Sequence, residues 1–457
     1  MLLALALVAA VTAFTATVPL LRDWFDLRVY HGAVDSWVHH GGRLYDYRVP
    51  GTTYGFTYPP FAALAMLPMS LLGLRATIVV ALLLDLVALA AVLRILVGPG
   101  WRGHGWYGCV LGACALALFE PLRDTFSFGQ VNILLLALVL ADAWLLANGR
   151  ARWAGVGIGI AAAVKLTPAL FIGLLLLARR WRAAAVASAV TAAATALAAR
   201  AAPDASRFYW TEALWDTNRV GRLDYVSNQS LQGILARLGV ADRPVWAVAV
   251  LLTLCVWAFR TRRAVVAGEW TTAFALTALT ACLVSPITWV HHLVWLLPSF
   301  AVLVRTGHPR IAGALYAVLC TSVVWLWFDD ASGVDGFLGG NTYTWITLGL
   351  LLWLPAGQLP AERARLRRTA TARAPAPSPA APAITPVAGH AAPPSGGFGA
   401  TAAGTAAGWA AGPAAGRAAG LTRGASSEPT GSTRPSASNP QSSSSRASSY
   451  TAKPPPA

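Results

Sequence analysis

The sequence has little charge: 12% of its residues are Asp, Glu, Lys or Arg, against 56% apolar. A soluble domain carries about 25% charged residues, so an ordinary water-soluble globule is excluded. Lysine is nearly absent, with only Lys165 and Lys453 in 457 residues. The five cysteines, Cys109, Cys114, Cys255, Cys282 and Cys320, form no CxxC pair and no metal-ligand spacing. They fall inside apolar runs and read as small core residues. The runs themselves lack the apolar/polar alternation of a porin, which excludes a transmembrane barrel. Residues 2–20 lack a basic leading region and a small-residue cleavage site, so they read as a retained first helix rather than a signal peptide.

What is present is a mean hydropathy of +0.55 and a series of continuous apolar runs. Only a helix satisfies its own backbone polar groups across roughly 30 Å of hydrocarbon, and doing so takes about 20 residues. The expected fold is an all-α polytopic membrane protein, with about 12 spans at 2–20, 76–97, 106–119, 130–147, 153–164, 167–178, 181–200, 243–260, 269–284, 289–304, 309–328 and 341–355. The pair flanking Lys165 and Pro168 reads equally as one long broken helix. The stretch 59–73 starts with Pro59 and Pro60, has Pro68 inside it, and is expected to lie along the surface rather than cross.

A net charge of +16 suggests nucleic acid in a soluble protein, but here the Arg residues sit beside apolar runs, at Arg94, Arg102, Arg150, Arg152, Arg179, Arg180, Arg182, Arg260, Arg262, Arg263, Arg305 and Arg310. That placement reads as topology: a cytoplasmic side by the positive-inside rule, both termini on it, and no nucleic-acid partner. Strict alternation of all twelve runs does not gather every cluster on one side, so a short run must be re-entrant or fused with its neighbour. The loops 21–75 and 201–242 are expected to face outward. Residues 1–360 form the expected membrane domain. Residues 361–457, rich in Ala, Pro, Gly, Ser and Thr, bury too little apolar area to offset ordering entropy and are expected to be a disordered cytoplasmic tail.

Polar motifs gather at the outer ends of the runs, where an enzyme acting on a lipid-borne substrate would place its site; a channel would line the midplane. Asp26, in Trp24–Tyr30 (WFDLRVY), is the candidate general base, since a carboxylate there takes a proton from an incoming hydroxyl. A solvated helix cap is the other use of such a residue. Arg28, Tyr30 and Tyr58 (in YGFTYPPF, 54–61) are candidate substrate contacts in neighbouring motifs. Lys165 lies within an apolar run, where an ammonium is costly unless paired, and a lipid phosphate is its natural partner; snorkelling to the interface is the alternative. His291 and His292 (SPITWVHH, 285–292) point about 100° apart on a helix, so one of them faces a phosphate or sugar, or both are structural. No third His or carboxylate stands at ligand spacing, and no metal is expected. Gln130 and Asn132 (FSFGQVN, 126–132) and Asn228 and Gln229 (SNQSLQG, 227–233) offer amides for a sugar or for capping. Asp85 and Asp142 are expected to pair between helices. Aromatics from Trp24 through Tyr54 to Trp289 suit an interfacial belt, with some suited to stacking on sugars.

Taken together and in order, DLRVY (26–30), GGRLY (41–45), Tyr54–Phe61, SFGQVN (127–132), VKLTP (164–168), SNQS (227–230) and SPITWVHH (285–292) resemble the actinobacterial polyprenol-phosphate-mannose-dependent α-1,2-mannosyltransferases, part of the GT-C superfamily of membrane glycosyltransferases. The resemblance runs from about residue 20 to about residue 300. It implies a GT-C-type fold with surface helices in the first outer loop, and a catalytic carboxylate at Asp26. It implies a polyprenyl-phosphate mannose donor, a mannose-containing lipid or glycan acceptor, inversion at the anomeric carbon, and no cofactor. Lys165 with His291 or His292 become donor-phosphate contacts, and the site faces outward from the plasma membrane, in contact with membrane lipids. The residues alone leave open a GT-C enzyme moving another sugar such as arabinose or glucose, a transporter or flippase of a polyprenol-linked sugar, and a structural subunit of an envelope-assembly complex. A flippase calls for charges along a midplane path or repeat symmetry between halves, and neither stands out.

Overall fold

The computed structural model describes residues 5, 6, 8–11, 23–98, 105–150, 152–240 and 242–356. Most of the expected span 2–20 and the whole of the expected tail 361–457 lie outside the described residues. Among the described residues the secondary structure is helical, with no strand. In chain order the helices are α1 (Phe25–His39), α2 (Pro60–Ala65), α3 (Leu74–Val97), α4 (Gly105–Leu118), α5 (Glu120–Phe128), α6 (Asn132–Ala147), α7 (Val156–Val164), α8 (Leu170–Leu177), α9 (Trp181–Ala201), α10 (Pro203–Phe208), α11 (Leu231–Arg237), α12 (Arg243–Val266), α13 (Trp270–Val284), α14 (Leu297–Arg305), α15 (Pro309–Cys320), α16 (Gly333–Gly339) and α17 (Thr342–Trp353).

Helix α13 is the centre of the bundle. It is apolar all round, and every residue from Trp270 to Leu283 except Thr271 is buried, as expected of a helix surrounded on all sides. Helices α12, α14 and α17 pack against it, and the Trp257 indole N–H of α12 donates to Thr277 Oγ1 at 3.0 Å. The long helices are the opposite case. On α3, Val79, Leu83, Leu86 and Val87 are all more than half exposed, as are Leu251, Leu252 and Phe259 on α12. Apolar faces of that size left uncovered belong in lipid, so this is a membrane protein.

Helices α3, α9 and α12 are each long and apolar enough to cross a membrane, and α4 with α5 qualify as a pair bent by 74°. The other expected spans map onto shorter helices, so crossing length alone does not reproduce twelve. The run 153–178 appears as α7 and α8, nine and eight residues long, separated by an extended residue, Lys165, at φ −146° and ψ 134°. The stretch 59–73 forms α2 and a 3₁₀ turn at Leu67–Leu71, too short to cross.

Of the buried acids, Asp142 caps the next helix: its Oδ2 accepts from Ile158 N–H at 2.8 Å, tying α6 to the first turn of α7. Asp85 is buried on α3, and no partner for its Oδ1 is found among the described residues. Glu120 is fully buried, where it accepts from Tyr343 Oη and from Trp325 Nε1. The cysteines divide: Cys114 and Cys282 are buried as expected, whereas Cys109 and Cys255 lie on exposed helix faces.

Candidate active site

Breaks in the helices converge on one cleft. The first is the turn after α5, where Gly129 takes a left-handed conformation at φ 71° to end the helix. A Cβ there would stand 2.6 Å from the Cβ of Leu27, so only glycine lets α1 lie this close. Trp24 N–H donates to Ser127 O at 2.9 Å across the same contact. The result is that Gln130 meets Asp26 on the first turn of α1. The second break is Lys165 itself: α7 ends, Pro168 starts the following turn, and the extended backbone turns the lysine out of the helical register.

The third break is Ser285–Trp289, which leads into a 3₁₀ helix at Val290–Leu296. The SNQS segment holds it in shape. Asn228 Oδ1 accepts from Thr288 N–H at 2.9 Å while its Nδ2 donates to Pro286 O at 3.2 Å, and Gln229 N–H donates to Thr288 O at 2.7 Å. The Gln229 side chain continues outward, donating to Gly340 O and accepting from Thr344.

A chain of hydrogen bonds crosses the floor of the cleft. Tyr30 Oη donates to Tyr58 Oη at 3.0 Å, Tyr58 Oη donates to Gln130 Oε1 at 2.9 Å, and Gln130 Nε2 donates to Asp26 Oδ2 at 2.6 Å. Lys165 Nζ donates to Asn132 Oδ1 at 3.0 Å and to Tyr58 Oη at 3.4 Å, and it lies 2.8 Å from His292 Nε2. His292 Nδ1 accepts from Trp289 N–H at 3.1 Å, which fixes the ring so that Nε2 meets the lysine. Asp26, Tyr30, Tyr58, Gln130, Lys165 and His292 all line a cavity of about 270 Å³. A smaller cavity, with Pro168, Phe171 and Trp295 in its wall, adjoins it past Lys165 and His292.

Burial pushes the Asp26 carboxyl up to about 6, with the Gln130 hydrogen bond and the charge of Lys165 pulling partly the other way. Burial likewise holds the Tyr30 and Tyr58 phenols above their ordinary range. The cleft therefore offers a carboxylate able to take a proton near neutral pH and, beyond the Gln130–Tyr58 pair, an amine with an imidazole. That is a general base placed across from a site for an anionic leaving group.

Not every residue singled out from the sequence reaches the cleft. Arg28 pairs with Asp23 at 2.6 Å on the exposed side of α1. Asn228 and Gln229 brace loops, as described above. His291 is buried with its ring edge-on to Phe128, the centroids 5.3 Å apart, because successive 3₁₀ residues point about 120° apart; His292 is the one in the cleft. Asn132 sits behind Lys165, in the wall of the smaller cavity. Among the described residues no group of three or more His, Cys, Asp or Glu is placed to hold a metal ion. The 209–221 segment, which forms the opposite wall through Tyr209, Asp216, Thr217 and Arg219, carried no motif in the sequence.

Among the described residues, an all-helical membrane scaffold sets a carboxylate and an amine on one cleft, an arrangement suited to group transfer. The chain belongs to glycosyltransferase family 87, whose model matches residues 56–286, and it is a glycosyltransferase. It is similar to the polyprenol-phosphate-mannose-dependent alpha-(1-2)-phosphatidylinositol mannoside mannosyltransferase of Mycobacterium tuberculosis, 33% identical over 320 residues that make up 65% of this chain and 74% of that protein. The protein of the same name from Mycolicibacterium smegmatis is 34% identical over 338 residues, 68% of this chain and 70% of its own length. The polyprenol-phosphate-mannose-dependent alpha-(1-2)-phosphatidylinositol pentamannoside mannosyltransferase of Mycobacterium tuberculosis is 33% identical over 393 residues, 79% of this chain and 88% of that one. No solved structure gives a significant match.

Proposed function

We propose that this chain transfers mannose from polyprenyl-phosphate mannose to a mannose-containing lipid acceptor of the phosphatidylinositol mannoside kind, forming an α-1,2 linkage with inversion. The observation that carries the reading is the placement of Asp26 and Lys165 on one cleft, joined through Gln130 and Tyr58. The names of its relatives supply the donor and acceptor classes.

In the reaction an acceptor hydroxyl oxygen forms a bond to the anomeric carbon while the bond from that carbon to the phosphate oxygen breaks on the opposite face. Asp26 takes the hydroxyl proton. Lys165 and His292 stabilise the negative charge gathering on the departing polyprenyl phosphate. One base and one anion site are what a single inverting displacement requires. As part of the same proposal, residues 1–360 form a GT-C-type transferase domain of about 12 spans, the helices of the 21–75 loop lie on the outer surface of the plasma membrane, and the cleft opens on that face. Both termini, with the 361–457 tail, are cytoplasmic.

The test is transfer of labelled sugar in membranes containing this chain, with polyprenyl-phosphate mannose, polyprenyl-phosphate arabinose or a nucleotide-linked mannose, each labelled in its sugar, offered separately. Incorporation from polyprenyl-phosphate mannose alone is expected; incorporation from arabinose alone moves the chain to another donor, and none from any of the three removes the transferase reading. The pH profile provides a second check. Asp26 must be ionised to act, so kcat/KM should fall on the acid side with a midpoint near pH 6, by about tenfold one unit below it. A midpoint near 4 would point to a solvated carboxylate instead.

A further inference from the structure

The cleft has a wall that the mechanism above leaves unused. Trp289 and Tyr54 both line it, and Gly221 lies against both rings. At φ 144° Gly221 adopts a conformation that side-chain-bearing residues avoid, and a Cβ on it would stand 2.9 Å from Trp289 Cζ2 and 3.6 Å from Tyr54 Cε1. Tyr225 meets the other side of the indole edge-on, with centroids 6.1 Å apart, and Phe25 does the same for Tyr54 at 5.6 Å. Both rings thus meet a neighbouring ring edge-on while remaining partly exposed. Asp216 adds a carboxylate to this wall. Arg219, also in this wall, donates from Nη2 to Tyr45 O at 2.6 Å with its guanidinium over the Phe208 ring.

We propose that Trp289 and Tyr54, set by Gly221, form the acceptor subsite, stacking on the C–H face of a terminal neutral hexopyranose while Asp216 takes hydrogen bonds from its hydroxyls. The assignment rests on the transferase reading for its place in the reaction. Tyr54 packs on Phe25, the residue before Asp26, which sets this wall beside the base that would take the acceptor's proton. Rigid aromatic faces with a few polar groups are how concave sites hold amphipathic ligands. The Trp289 backbone N–H serves His292, and changing the side chain leaves that bond in place.

The experiment uses the full chain in detergent micelles, with methyl α-mannoside as the soluble probe, read by saturation-transfer NMR. Trp289→Leu is expected to weaken probe binding about tenfold, Trp289→Phe to recover most of it, and Tyr54→Leu to produce a smaller loss. In the transfer assay the acceptor KM of Trp289→Leu should rise by a similar factor while the donor KM stays unchanged. Probe binding equal in wild type and in both Leu variants overturns the assignment, as does a parallel rise in both KM values. If Trp289→Leu does not fold, Tyr54→Leu carries the same comparison. A wild type that binds the probe through these rings but moves no mannose would sink the transferase reading and leave the sugar subsite standing.

Discussion

Asp26→Asn should lower mannosyl transfer by about 10²- to 10⁴-fold, the usual share of a positioned general base, with the protein still fully folded. The amide is isosteric and still accepts from Gln130 Nε2, which donates to Oδ2 at 2.6 Å in the wild type. Folding should not suffer, and the sign can be worked out. The carboxyl is raised in the folded state to about 6 from an ordinary 3.8. Its burial therefore costs nothing below the unfolded value and its full amount above about 6, and the amide removes that cost at neutral pH. The informative comparison is single-turnover transfer in wild type and variant at matched amounts of monodisperse protein. Transfer within a few-fold of wild type would remove Asp26 from the chemistry. A deep loss with unchanged donor binding would place its contribution in the transition state. Gln130→Leu should fall between the two, because it deletes the donor that orients the carboxylate and leaves Tyr58 without its acceptor.

The chemistry of this site was more legible in the sequence than its architecture. A lone lysine in an apolar run is too costly to be incidental, and it leads directly to Lys165; an acidic residue at the start of an outer loop leads to Asp26. Gln130, Asn132, Tyr58 and His292 followed from short motifs, and the structure brings them to the same place. Asn228 and Gln229 belong to a motif of the same polar character, yet they spend their amides on the 286–288 backbone and on residues 340 and 344. Composition cannot separate an amide that binds ligand from one that braces the loop beside it. The 209–221 wall had no signal because its contribution depends on Gly221 approaching an indole 68 residues later, a contact that no local pattern encodes. The helices are shorter than the apolar runs for a related reason. Apolar runs are read as straight helices, but a polar cleft set among them needs non-helical backbone, and breaks at Lys165 and 285–289 shorten the helices on either side of it.

Lys165→Met is expected to cut transfer by about 10²- to 10³-fold, as the loss of a preorganised group facing a developing oxyanion does. Methionine keeps the apolar stem and removes the amine. It also leaves Asn132 Oδ1 and His292 Nε2 without the partner they have now at 3.0 and 2.8 Å, so a stability loss of about 1–3 kcal/mol must be separated from the catalytic one. The choice of donor separates them. β-Mannosyl fluoride departs as a small anion that needs far less help than a phosphate monoester. If Lys165 acts on the departing phosphate, the variant should recover much of the wild-type rate with the fluoride and stay slow with polyprenyl-phosphate mannose. Equal slowing with both donors would make the lysine a structural tie between α6, Tyr58 and the 3₁₀ segment. Lys165→Arg should rescue poorly in either case: the lysine Nζ is a compact group within reach of Asn132, Tyr58 and His292 at once, and a planar guanidinium cannot reproduce that arrangement.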